Sequence, residues 1–265
     1  MNDPEVVSLV YELVLPDWLH FAEDALPWEG KLGDFKGRLS HLELVLRPTS
    51  RFPDADSARA VVEPLLRGWE AAYELEHSRT IEFRFANAEV VDRKPNRVEG
   101  MVGLSAVAAG RGFASGTLTV TVMAASYPSP PTPALIETPL GRLLRLRWRS
   151  TREGSHSLAL AQAYAVLTEV EHRFGGRRAA AEALRISRAV LSKLGALTAE
   201  GGPEERRKAT KRPQKPLTAD EWLWINTAIP RIIRRVLEVE NRVPDLQSLD
   251  MSDLRWPATD SGSPT

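Results

Sequence analysis

Asp17, His20 and Asp24 stand three and four residues apart, a spacing that brings side chains to one face of a helix. A histidine with two carboxylates has the donor types for a metal or for acid–base work. The five histidines, at 20, 41, 77, 156 and 172, are scattered singly and form neither H-x-x-x-H nor H-E-x-x-H. The trio therefore reads as structural, and no metal site is expected. The glycine-rich run Gly110-Arg111-Gly112-Phe113-Ala114-Ser115-Gly116 leads into the alternating residues 117–122 and not into a helix. Its amides are thus not aligned on a phosphate, and it reads as a hairpin turn. Neither G-x-x-x-x-G-K nor G-x-S-x-G occurs. The absence of cysteine excludes disulfides, thiol nucleophiles and thiolate zinc sites. No catalytic residue and no cofactor site is expected from local motifs, although an enzyme site assembled from distant residues of the N-terminal half would leave no such trace.

The remaining chemistry is cationic. Residues 173–215 hold 12 Lys/Arg against 4 Asp/Glu, or +8, a density that attracts polyanions. Within it, residues 176–195 resemble the helix-turn-helix of bacterial DNA-binding proteins. Ala181 supplies the small residue needed where two short helices cross, and Leu184, Ile186, Leu191 and Leu194 supply a shared apolar core. Ser187 is a natural N-cap for the second helix. The resemblance then puts Arg188, Ala189, Ser192 and Lys193 on the exposed side of that helix, with arginine suited to guanine and lysine to phosphate. Arg173, Arg177 and Arg178 would lie near the DNA backbone. Arg185 stands where the motif usually has glycine and must accept a less favourable backbone conformation. Gly195 is expected to end the second helix after about two turns. The alternative is a helical hairpin that only packs. The wider chain, over about 115–240, is similar to bacterial proteins of no assigned role, through Ser126-Tyr127-Pro128-Ser129-Pro130-Pro131, Ala163-Tyr164-Ala165-Val166-Leu167-Thr168 and Ser192-Lys193-Leu194-Gly195-Ala196-Leu197-Thr198. That likeness implies a shared architecture and no activity.

The elements that must position these residues follow from periodicity. The chain has 265 residues, 43% of them apolar, enough to bury a core. Its net charge of zero hides an asymmetry: residues 1–130 carry 13 basic and 19 acidic residues, and 131–265 carry 22 and 16. Alternation at 7–13, 42–46, 81–85 and 118–122 predicts strands. Between the second and third, Asp56 or Ser57 caps a helix with Val61, Leu65, Leu66, Trp69 and Tyr73, in which Pro64 is the irregularity. A shorter helix is expected over 16–25. The N-terminal part, 1–126, is thus an antiparallel or mixed sheet with one or two helices, and the class is α+β. The Pro-rich segment 127–133 reads as an extended linker.

A helical part, 134–256, follows. Residues 142–149, in which Leu144, Leu146 and Trp148 alternate with Arg145, Arg147 and Arg149, fit a strand with an arginine face or a helix equally. The arginines are expected on a solvated edge or helix end; the alternative is a phosphate-binding face. A helix from Ser155 ends at Gly175-Gly176, and another begins at Thr218-Ala219-Asp220-Glu221, a capping-box spacing. Pro230 should kink the latter. Its stripe of Trp222, Ile225, Ile229, Ile232, Ile233, Val236 and Leu237 is expected in the chain's own core, with a homodimer seam or a protein partner as alternatives. The tail, 257–265, is expected to be disordered.

Together these features predict a non-enzymatic DNA-binding regulator with an N-terminal sensing or association part. A specific binder of double-stranded DNA with one such helix pair would act as a dimer. The alternatives are a protein-interaction module without DNA, and an enzyme with its site in the N-terminal part. An acidic N-terminus, no run of about 18 apolar residues and no cysteine predict a cytoplasmic protein without a membrane partner.

Overall fold

A computed structural model describes residues 3–16, 19–93, 122–151, 156–199 and 217–254. They fall into two units: one of Met1–Glu70 and Thr80–Pro130, the other of Ala71–Arg79 and Pro131–Thr265. Together they make a mixed α+β chain, in which the Gly110–Gly116 turn, most of the 118–122 strand and the tail lie outside the described residues.

The first unit is built on alternation. Strands β1 (Pro4–Val14), β3 (Trp28–Leu32), β4 (Phe35–Ser40), β5 (Glu43–Pro48) and β6 (Glu82–Asp92) form an antiparallel sheet in the order β3-β4-β5-β1-β6. Period two along β1 buries Leu9, Tyr11 and Leu13 on one side, joined by Leu44 and Leu46 of β5 and by Phe83 of β6. Against them lies the first part of α1 (Ala55–His77), which runs through Pro64 and buries Val62, Leu66 and Trp69. Trp69 meets Trp28 edge-on at 4.9 Å and Phe83 at 4.8 Å. Glu70, at 8% exposure, accepts the Phe83 N–H at 2.7 Å and ties helix to sheet.

Residues 19–25, in the span expected to be a helix, are not helical, and Asp17 lies outside the described residues. Leu19–Leu26 form β2, paired in parallel with β7 (Val122–Ser126), and Phe21 stacks on Tyr127 at 4.2 Å. Pairing with a distant strand overrode a helical spacing made of polar residues. In a strand, His20 and Asp24 lie roughly 13 Å apart, so the expected one-faced trio does not form.

The second unit contains α2 (Pro139–Arg149), α3 (His156–Phe174), α4 (Arg177–Ala183), α5 (Arg188–Ala199), α6 (Ala219–Glu240) and the last turns of α1. Residues 142–149 are thus helical, started by Thr138 as N-cap with Pro139 in the first turn. Thr218 and Glu221 form the reciprocal capping box of α6, at 2.7 and 3.2 Å. The helix continues past Pro230 to Glu240. Ile225, Ile229, Ile232, Ile233, Val236 and Leu237 are fully buried within this unit. The stripe is therefore core, which removes it as a dimer seam or partner surface. Among the described residues no helix is long and apolar enough to cross a membrane.

Two of the α2 arginines turn inward, contrary to the expectation of a solvated or phosphate-binding face. Arg145 donates to Glu137 at 2.6 and 2.8 Å and pairs with Glu74, near the end of α1, while Arg149 donates to Glu74 at 2.8 Å. The Glu74 side chain is 1% exposed and that of Arg145 10%. Burial would push Glu74 up, but its hydrogen bonds to Arg149 and Arg145 outweigh burial and hold it below the usual glutamate value.

On the next turn, α2 approaches α6 closely at Gly141, where an added Cβ would fall 2.2 Å from Leu237 Cδ2. Leu237 is fully buried and has nowhere to withdraw. Gly141→Ala should therefore destabilise the chain by about 1–3 kcal/mol in urea unfolding, although alanine is the better helix former by about 1 kcal/mol. Glu74→Gln should cost about 1–3 kcal/mol near neutral pH, because Arg145 is then left to Glu137 alone and Arg149 loses its carboxylate. Because the folded carboxylate is held low, its contribution is present above 4.5, the ordinary glutamate value, and is lost on acidification. The gap between variant and wild type should accordingly narrow as the pH falls below that value.

Candidate nucleic-acid interface

α3 stops at two glycines in left-handed conformation, Gly175 and Gly176, where the Gly176 N–H donates to the Glu171 carbonyl at 2.6 Å. Gly176 then serves as the N-cap of α4. Four residues, Leu184 to Ser187, join α4 to α5. Ala180, Leu184, Ile186, Val190, Leu191 and Leu194 are all buried, so the pair shares one apolar core on its inner side. Ser187 Oγ accepts from the Ala189 N–H at 3.3 Å, the capping role its type suggests.

The turn is made by Arg185, whose φ of 49° is left-handed, a conformation costing a non-glycine residue about 1 kcal/mol. A segment after α6 holds it in place. Leu249 forms a parallel bridge to Ile186, donating its N–H to the Arg185 carbonyl at 2.9 Å and accepting from the Ser187 N–H at 2.8 Å. The Arg185 side chain donates to the Leu246 carbonyl at 2.9 Å, and Arg235 of α6 donates to the Gln247 carbonyl at 2.5 Å. Nothing in the local sequence near 185 signals this strap, because its contribution is backbone pairing across some sixty residues.

α5 does not end at Gly195 but runs to Ala199. Gly195 is buried and helical, and it makes room for Arg177: a Cβ there would lie 2.7 Å from the guanidinium. Arg177 also donates to Glu171 at 2.5 Å through Nε, so part of its guanidinium is used within the fold. The ammonium of Lys193 lies 4.5 Å from the Trp224 ring centroid of α6, a cation–π contact that turns it inward as well. Ser192 is half-buried. Arg178 and Arg188 are exposed, with no ion pair among the described residues. Arg173 is exposed and stands 3.9 Å from Glu240. Residues 173–199 carry six basic residues and a single acidic one, Glu182. Among the described residues, no group of three or more His, Asp or Glu could hold a metal.

Of the six residues anticipated from sequence, the fold leaves Arg178 and Arg188 outward, uses Ser187 as a cap, half-buries Ser192, pairs Arg177 with Glu171 and sets Lys193 over Trp224. Arg185, at the turn between the two helices, is exposed as well.

The left-handed turn is measurable. Arg185→Gly and Arg185→Ala both lose the bond to Leu246, but only glycine is relieved of the backbone penalty. The glycine variant should be more stable than the alanine variant by about 1 kcal/mol in chemical denaturation. No family model, no curated protein and no solved structure matches the chain, so its function is read from this surface.

Proposed function

We propose that the chain is a non-enzymatic regulator that binds double-stranded DNA, with α4 and α5 acting as a helix-turn-helix and the sheet unit sensing a ligand or mediating association. The observation that carries this reading is the sorting of charge on the pair: its large apolar residues, Leu184, Ile186, Val190, Leu191, Leu194 and Leu197, are buried, while Arg178 and Arg188 stand outward without internal partners among the described residues. α5 begins at Arg188, and residues at the start of a recognition helix are those that reach base edges, so Arg188 is assigned to a guanine edge. Arg178, one residue inside α4, is assigned to phosphate, as is exposed Arg185 at the turn. Lys193, held over Trp224, has at most a minor part.

Fluorescence anisotropy of a labelled mixed-sequence duplex, titrated with the full chain across a salt series, tests this. Affinity should fall steeply with salt as counterions are released, and Arg178→Ala should reduce the salt slope by about one. Arg188→Ala should weaken binding about tenfold, whereas Lys193→Ala should change it far less. Failure of the wild-type chain to bind at low salt would sink the proposal.

A further inference from the structure

Along α6, Leu223, Asn226, Thr227, Pro230, Arg231 and Arg234 recur at intervals of three and one, which places them on one face of the helix. This face is distinct from the core stripe and borders a cavity of about 660 Å³ within the helical unit. The last turn of α1 supplies Leu75 and Glu76 to the wall, and the strap supplies Leu249. The volume lies inside the range of about 300–1,000 Å³ typical of small-molecule sites. On α6 the lining runs from Leu223 to Glu238, about 22 Å of helix, so the cavity is a trough. Its lining is open: Asn226 and Arg231 are exposed, Leu223 and Thr227 are half-buried, and the Arg234 side chain is 37% exposed. The strap wall is fixed, because Leu249 is bridged to Ile186 and Gln247 accepts from Arg235, so the trough exists before any ligand arrives.

Polarity is sorted along the trough. The N-terminal half of the α6 face offers Leu223, Thr227 and Pro230, and the C-terminal half offers Arg231, Arg234 and Arg235. Thr227 donates its hydroxyl to the Leu223 carbonyl at 2.9 Å, which spends its polar group inside the helix. Against the three arginines stand Glu76 and Glu238, a surplus of one positive charge. Glu238 is taken by Arg234 Nε at 3.1 Å and by Arg235 Nε at 3.0 Å. Glu76, 61% exposed, stands 3.7 Å from Arg234 Nη1, beyond hydrogen-bond distance. Arg231 has no ion pair or hydrogen bond among the described residues. Arg231 and Arg234, one turn apart, thus both keep terminal N–H groups for a further acceptor.

We propose that this trough binds a medium-chain aliphatic carboxylate, its head group accepting from Arg231 and Arg234 and its chain lying along Pro230, Thr227 and Leu223. The single surplus charge matches a monoanion, and the guanidinium fork matches a carboxylate. An unbranched aliphatic body follows from a lining that extends along one helix and, among the described residues, holds no aromatic ring. The assignment goes beyond the DNA reading and does not depend on it. Because the test is read without DNA, the two can fail separately.

The test is isothermal titration of the full chain with octanoate, butanoate and the neutral octanol. Octanoate should saturate a single site, with octanol at least about tenfold weaker. Butanoate should bind more weakly by about twofold to fourfold for each methylene it lacks. Arg231→Gln, at an exposed position, should weaken octanoate by about tenfold while leaving the thermal midpoint of the free chain nearly unchanged. Glu76→Gln removes a competing carboxylate and should tighten octanoate by about twofold to fivefold; adhesion of the chain to an apolar surface would respond to neither substitution. Absence of octanoate binding, equal binding of octanol or butanoate, affinity that Arg231→Gln leaves unaltered, or weaker binding by Glu76→Gln would each overturn the assignment.

Discussion

A carboxylate withdrawn from water stays charged only if cations follow it in, and in the helical unit two arginines do. Glu74, nearly inaccessible, is held by Arg145 and Arg149, and Arg145 is shared with Glu137. Pairs of this kind add little net stability over apolar residues of the same shape, because the desolvation they suffer offsets their attraction. What they fix is arrangement, since Glu74 cannot stay charged at this burial without its arginines. The cluster locks the end of α1 to α2, and α2 presses Gly141 onto Leu237 of α6. Through Arg235, α6 holds the strap, and the strap holds the turn at Arg185. The outward arginines of the α4–α5 pair are thus presented by a succession of contacts that begins at a buried charge.

Much of this architecture can be read along the chain where local chemistry decides. The capping box of Thr218 and Glu221, the two glycines after α3 and the alternation in β1, β5 and β6 each act over a few residues, and each forms as its residue types require. The inward positions of the α4–α5 pair were legible for the same reason. What could not be read depends on partners far away. β2 is a strand because β7 pairs with it about a hundred residues later. Arg145 and Arg149 point inward because Glu74 is there to meet them, and an alternating arginine pattern carries no mark of that. Trp224 takes Lys193, and Gly195 accommodates Arg177 where a helix end was expected.

The same contrast separates the α4–α5 surface from the sheet unit. On the α4–α5 surface, sequence supplies the supply of cations, and the fold selects among them by occupying some and leaving others. In the sheet unit, Tyr11, Arg59, Arg67 and Phe85 come from elements separated in sequence and meet only when the sheet and α1 close over one another. A phenol on a strand and arginines on a helix are ordinary residues individually.

The bridge between Ile186 and Leu249 also sets an order of events during synthesis. Translation at about 5–20 residues per second leaves roughly 3 to 13 s between the emergence of the turn and that of its backbone partner. Over that interval the backbone pairing that holds Arg185 in its left-handed conformation has yet to be made. The cationic surface is therefore a late product of the nascent chain, completed only after the hydrophobic helix α6 has been made.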